Sequence, residues 1–154
     1  MLLEMKKRFK ILFLCTGNSC RSQMAEGWAR HLKPDVIEAH SAGISPTKIN
    51  PRAIAVMREV GVDISIQSAK HIDRFLSVDF DYVVTLCDDA RESCPVFGGK
   101  AGLVHKSFED PSFAKGSEEE IMAVFRKSRD AIRAFIETMP ESLEKADKNF
   151  QKQG

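Results

Sequence analysis

Apolar residues in this chain fall into two kinds of pattern: short unbroken runs, and longer stretches in which they recur at the period of a helix. Ile11-Leu12-Phe13-Leu14, the Val83-Val84 pair within Asp81–Leu86, and Leu103-Val104 are of the first kind. The four-residue run Ile11–Leu14 reads as a parallel strand buried on both faces, and Asp81–Leu86 and Leu103-Val104-His105 read as further strands, the last one short. Val36 to Ser41 reads as a further strand, ending in Ala42-Gly43, where small residues let another backbone approach closely. The second kind begins at Arg21 and runs to Leu32, with Met24, Trp28 and Leu32 on one face and Pro34 beyond its end. Asn50 is placed to cap a helix with Pro51 at its first position, carrying Ile54, Met57 and Val60 and stopping at Gly61. Ile64 to Asp79 is irregular, with a short helix expected around Ile72 to Leu76. Ser117 and Glu120 make a capping box, after which Ile121, Val124, Phe125, Ser128, Ile132, Phe135 and Ile136 repeat at helical spacing up to Pro140.

Strands alternating with helices predict an α/β fold: a three-layer, doubly wound sheet of four parallel strands in the order 2-1-3-4, with right-handed crossovers. A ligand is expected at the carboxyl edge, where the strand order reverses. Residues 1–9 read as a short charged extension, 10–139 as a single catalytic domain and 140–154 as a polar, lysine-rich tail. On this reading Cys15 ends the central first strand and Cys87 ends the adjacent third, which brings two thiols to one edge of the sheet.

Composition narrows the function classes. A net charge of +1 over 154 residues argues against nucleic acid or an acidic membrane as partner. No apolar stretch approaches membrane-spanning length. The apolar run near the start is too short for a secretion signal and leads straight into the first strand, so a cytoplasmic location is expected. The four cysteines are then expected to be reactive rather than paired as structural disulfides. A zinc site fits poorly, because the gaps within Cys15–Cys20 and Cys87–Cys94 exceed the usual two to four residues.

The chemistry centres on Cys15-Thr16-Gly17-Asn18-Ser19-Cys20-Arg21-Ser22, between a strand end and a helix start. Such a loop aims backbone N–H groups and the positive end of a helix dipole at one point, where a tetrahedral anion fits. Arg21 adds a fork of donors for two of its oxygens, and Ser22 a hydroxyl near the sulfur. The same field stabilises a thiolate, so Cys15 is expected to be nucleophilic. The loop lacks the Gly-Lys-Ser/Thr ending of a nucleotide-binding loop. Cys20 reads as a small side chain fitting a tight turn.

The run Cys15 to Gly27, with Ser41-Ala42-Gly43 and Val83-Val84-Thr85-Leu86-Cys87, resembles the low-molecular-weight tyrosine phosphatases and, more closely, the thioredoxin-coupled arsenate reductases that share their fold. The resemblance implies a phosphatase-like sheet with the anion loop after strand one, and a role in arsenical resistance. It implies that Cys15 attacks arsenate, that Cys87 forms a disulfide with Cys15 as arsenite leaves, and that Cys94 takes over Cys87 and passes the disulfide to thioredoxin. Phosphate or sulfate would compete for the loop. A two-electron reduction needs one dithiol per turnover, and Cys87 and Cys94 supply thiols that a phosphatase does not require. The alternative is hydrolysis of phosphomonoesters through a Cys15 phosphocysteine.

Residues 88–93 are compatible with a helix, capped by Asp88 or Asp89. Seven residues of helix separate Cys87 from Cys94 by about 10.5 Å, whereas a disulfide needs Cα atoms within about 7 Å. That segment must therefore unwind on oxidation, with Gly98-Gly99 and Gly102 absorbing the change. Asp110, held extended before Pro111, is the expected general acid, with Glu109 as fallback. Ser112 follows where the phosphatases commonly carry an aromatic, which disfavours an aryl phosphate. In related reductases Asn18, Glu26 and Ser41 match residues near a potassium ion. Here Lys70 stands where an aspartate often completes that site, so a lysine ammonium near Glu26 or Asn18 is expected instead of the ion, and no cofactor or metal is called for. His31, His40, His71 and His105 show no metal spacing and are expected to serve as ordinary hydrogen-bonding residues. Arg91 and its acidic neighbours are expected to shape a surface for the reductant.

Overall fold

In the computed structural model residues 7–95 and 101–146 are described. The strands are β1 (Phe9–Cys15), β2 (Ile37–Gly43), β3 (Tyr82–Thr85) and β4 (Gly102–His105), and among the described residues they form one parallel sheet in the order β2-β1-β3-β4. The helices are α1 (Arg21–Leu32), α2 (Pro51–Glu59), α3 (Asp88–Glu92) and α4 (Glu118–Glu137). β1 is central, and Ile11, Leu12, Phe13 and Leu14 are wholly buried, as a strand covered on both faces requires. The register pairs Cys15 with Gly43, Leu14 with Thr85, and Thr85 with His105. The carboxyl edge is thus a row of Gly43, Cys15, Thr85 and His105.

α1 and α4 pack on each other, with Met24 and Trp28 buried from α1 and Phe125, Ile132 and Ile136 from α4. The Trp28 indole N–H donates to the Arg129 carbonyl at 3.0 Å. The capping box at Ser117 and Glu120 is formed, and Asn50 caps α2 by accepting from the Arg52 N–H. Gly61 has a positive φ of 81° just past α2, where a left-handed residue closes the helix.

Several boundaries differ from the sequence reading. β3 ends at Thr85, so Cys87 lies two residues beyond the strand, where it caps α3: its Sγ accepts from the Ala90 N–H at 3.4 Å. The cap is therefore the thiol, and Asp88 and Asp89 occupy the first turn instead. On α4 the inward face takes Arg129 rather than Val124. The Arg129 guanidinium, nearly buried, pairs with Glu59 at 2.8 Å and donates to the Val56 carbonyl, while Val124 is exposed. The short helix expected near residue 72 is a 3-10 turn, Ile72–Phe75. Past Pro140, residues 141–146 are helical and Leu143 is fully buried, so core packing extends into the stretch read as a tail. Gly98-Gly99 lies outside the described residues, as do residues 1–6 and 147–154 of the two terminal segments. Among the described residues no helix is long and apolar enough to cross a membrane.

Candidate active site

The loop after β1 is shaped by what happens to its carbonyls. Every one from Cys15 to Cys20 accepts a hydrogen bond from elsewhere. Ile44, Ser45, Thr47 and Asn50 donate their N–H groups to the carbonyls of Cys15, Thr16, Gly17 and Ser19 at 2.8–3.2 Å. Gln23 donates its amide to Asn18 at 3.0 Å, and the Met24 N–H serves Cys20 at 2.9 Å. With its acceptors engaged from outside, the loop offers a ligand its N–H side. α1 begins there with no side-chain cap and no acidic residue in its first turn, leaving its positive end open to an anion.

Asn18 sits at φ 49°, a left-handed conformation that few non-glycine residues adopt. Three hydrogen bonds hold it: its amide donates to Ser22 Oγ at 2.8 Å and Ser41 Oγ at 3.0 Å, and its Oδ1 accepts from the Lys70 N–H at 2.9 Å. Gly43, opposite Cys15 in the sheet, has to be glycine. A Cβ there would lie 2.6 Å from the Thr16 carbonyl oxygen and 2.8 Å from the Asn18 nitrogen.

Cys15 Sγ lies 2.8 Å from Ser22 Oγ, and the Ser22 hydroxyl is in turn held by Asn18. Cys15, Thr16, Gly17, Ser19, Cys20 and Arg21 line a cavity of about 340 Å³ with Ser45, Thr47, Asp110 and Ser112. Arg21 is nearly buried. Its guanidinium donates to the Phe108 carbonyl at 3.1 Å and to Asp110 Oδ2 at 3.2 Å, which brings the arginine and the carboxylate to the cavity together. The other Asp110 oxygen accepts from the Ser112 N–H at 2.9 Å and the Ser112 hydroxyl at 2.7 Å. Asp110 thus both caps a 3-10 turn and faces Arg21, whereas Glu109 is exposed and does not line the cavity. Burial pushes the Cys20 thiol up to about 12, so it stays neutral inside the loop.

Cys87 is drawn to the loop by Thr16, whose Oγ1 lies 3.3 Å from Cys87 Sγ. Cys94 is placed apart. It is half-buried in a separate cleft of about 270 Å³ lined by Thr85, Arg91, Leu103, Val104 and His105, and burial holds its thiol above the ordinary cysteine value. Two of the three expected redox cysteines therefore lie at the sheet edge, Cys15 within the loop and Cys87 against Thr16, and the third lies in the separate cleft.

Ser41 donates to Glu26 Oε1 at 2.6 Å, joining Glu26 to Asn18. The cation on Glu26 is Arg30, at 2.9 Å, one helical turn on. Lys70 approaches Asn18 through its backbone N–H, while its Nζ bonds to the Ser68 carbonyl. Burial holds the Lys70 ammonium below the usual lysine value, against the opposing pull of Glu26. Lys70 is thus next to Asn18, as expected of a residue near Glu26 or Asn18, while the ion pair with Glu26 is made by an arginine. The i,i+4 spacing of Glu26 and Arg30 was the available signal. Ser45 and Thr47 carried none, because they reach the loop only through tertiary hydrogen bonds.

Residues 10–153 match the family described as low molecular weight phosphotyrosine protein phosphatase. The chain belongs to that family. Within this phosphatase family, an arsenate reductase of Halalkalibacterium halodurans is 48% identical over 132 residues, covering 86% of this chain and 95% of the relative. A solved arsenate reductase in the phosphate binding state superposes with a TM-score of 0.67 at 33% identity, covering 90% of this chain and 98% of that one. A thioredoxin-dependent arsenate reductase of Corynebacterium glutamicum aligns at 25% identity with a TM-score of 0.61, over 90% of this chain and 63% of that one.

Proposed function

We propose that this chain reduces arsenate to arsenite by a relay through Cys15, Cys87 and Cys94, and that thioredoxin restores the dithiol. The observation that carries this reading is the Thr16–Cys87 contact, which sets a second thiol beside an anion loop that already holds a nucleophile. Hydrolysis of a phosphomonoester needs no thiol besides Cys15.

In the first step the Cys15 thiolate attacks arsenic, held by the loop N–H groups and Arg21, and water leaves. Asp110 supplies the proton to the departing oxygen. Cys87 then attacks Cys15 Sγ. The sulfur–arsenic electron pair passes to arsenic, arsenite departs, and a Cys15–Cys87 disulfide remains. Cys94 attacks Cys87, returning Cys15 as a thiol and leaving a Cys87–Cys94 disulfide, which a thioredoxin dithiol reduces by exchange. Cys94 is separated from Cys87 by the whole of α3, so this last attack requires α3 to unwind. Burial suppresses the Cys94 thiolate until that happens.

Asn18, Ser41 and Glu26, with Arg30 and Lys70, position the loop. Their oxygens are already engaged by protein donors and Glu26 carries the Arg30 guanidinium, so they do not fit a resident potassium ion. A phosphate-bound relative supports competition by phosphate at the same loop. Among the described residues the cavity wall of Ser45, Thr47 and Ser112 presents hydroxyls and no aromatic face, which favours an inorganic oxyanion over an aryl phosphate.

The test is arsenate-dependent NADPH oxidation coupled through thioredoxin and thioredoxin reductase. Wild type should turn over continuously, Cys94→Ser should stop after one arsenite per chain, and Cys15→Ser should release none. Arsenate-independent hydrolysis of p-nitrophenyl phosphate by wild type, with no arsenite produced, would assign the protein to the phosphatase reading instead.

A further inference from the structure

α3 is the element that must come apart, and one side-chain chain holds it to the sheet. His105, the last residue of β4, lies between two partners. Its Nε2 is 3.1 Å from Asp88 Oδ1, in the first turn of α3, and its Nδ1 is 2.8 Å from Thr85 Oγ1, at the end of β3. Asp88 can only accept, so Nε2 carries a proton, and Nδ1 shares a hydrogen bond with the Thr85 hydroxyl. Thr85 is buried and fixed in register opposite His105, so the imidazole stands on a rigid base. Apart from the capping Cys87 sulfur, which touches Thr16 and accepts from the Ala90 N–H, no other side-chain hydrogen bond or ion pair among the described residues ties α3 to another part of the chain. The same His105 and Thr85 line the cleft in which Cys94 sits.

We propose that His105 is a positioning residue for the relay, a latch that holds Asp88 and so keeps α3 wound while Cys87 and Cys94 are reduced. The proposal rests on the relay reading. A contact present only in the wound form favours the dithiol over the disulfide. Breaking it shifts the equilibrium Cys87–SH + Cys94–SH + GSSG ⇌ Cys87–S–S–Cys94 + 2 GSH to the right. The latch thereby holds back oxidation of the pair until Cys87 has been engaged by Cys15.

The measurement is that equilibrium constant, in a Cys15→Ser background so that only the Cys87–Cys94 pair reacts, by acid quench, alkylation and mass mapping in glutathione buffers. His105→Ala and Asp88→Ala should each favour the disulfide by roughly three- to tenfold, the range expected for one intramolecular hydrogen bond. Tenfold corresponds to about 30 mV for this two-electron couple. The double variant should shift no further than either single one, because both remove the same contact. Asp88 is exposed, so Asp88→Ala leaves the sheet intact even where His105→Ala loosens it. Shifts below twofold in both variants, or fully additive shifts in the double variant, would overturn the latch while leaving the relay standing. Absence of any Cys87–Cys94 disulfide in the parent would overturn both.

Discussion

The anion loop and the redox segment both begin just past a central strand and carry a cysteine at the same sheet edge, yet they are built in opposite ways. In residues 15–20 every carbonyl is bonded from outside, Asn18 is held by three hydrogen bonds in a left-handed conformation, and Gly43 leaves no space for a methyl. α3 is five residues long, buries only Ala90, and has the Asp88–His105 contact as its polar tether among the described residues. An isolated helix of that length is not stable in water. The contrast matches the two tasks. Stabilising charge on a bound oxyanion requires donors fixed before the reaction, whereas moving a disulfide outward requires a segment whose unwinding costs little.

The largest effect should come from removing the proton donor at the rigid end. Asp110→Asn should slow single-turnover arsenite release by roughly 10²–10⁴-fold, read by rapid quench, with the protein still folded. Equal rates in wild type and variant would remove Asp110 from the chemistry.

A paired substitution sharpens the comparison further. Gly43→Ala forces a Cβ into the Thr16 carbonyl, so it should destabilise the fold by about 1–3 kcal/mol and weaken phosphate binding, by calorimetry. Arg91→Gly, on the exposed side of α3, should cost about 1 kcal/mol of helix stability and leave phosphate affinity unchanged. Loss of phosphate binding in Arg91→Gly would show the two regions to be one cooperative unit.

The smallest effect is in thiol labelling. Burial raises the Cys94 value, so the docked, wound form is favoured fully below the ordinary cysteine pKa and loses that advantage as pH rises through the raised one. Iodoacetamide labelling of Cys94 should therefore climb with pH, and Arg91→Gly should accelerate it by roughly fivefold, the equivalent of the helix stability it removes. Cys20, pushed up to about 12, should stay unlabelled up to pH 10 in both proteins, as peptide mapping would show.

Much of this was legible from the chain alone, because it rests on local rules. The unbroken run before Cys15, the Asn50-Pro51 start, the Ser117–Glu120 box and the strand order follow from periodicity, capping and crossover handedness. The readings that failed were those in which a cheaper local choice was open. The Cys87 sulfur took the cap expected of an aspartate, and the ion pair with Glu26 fell to Arg30, already one turn away, while Lys70 reached Asn18 through its backbone N–H.

By itself the sequence determined an α/β sheet with an anion loop ending in Arg21-Ser22 and a second thiol at its edge, since each depends on residues close in the chain. Only the tertiary structure decided that 44–50 straps the loop, that Asp110 meets Arg21 across 89 positions, and that His105 reaches Asp88. Those contacts join segments whose distance is set by strand register and helix packing, and no local pattern encodes a distance of that kind.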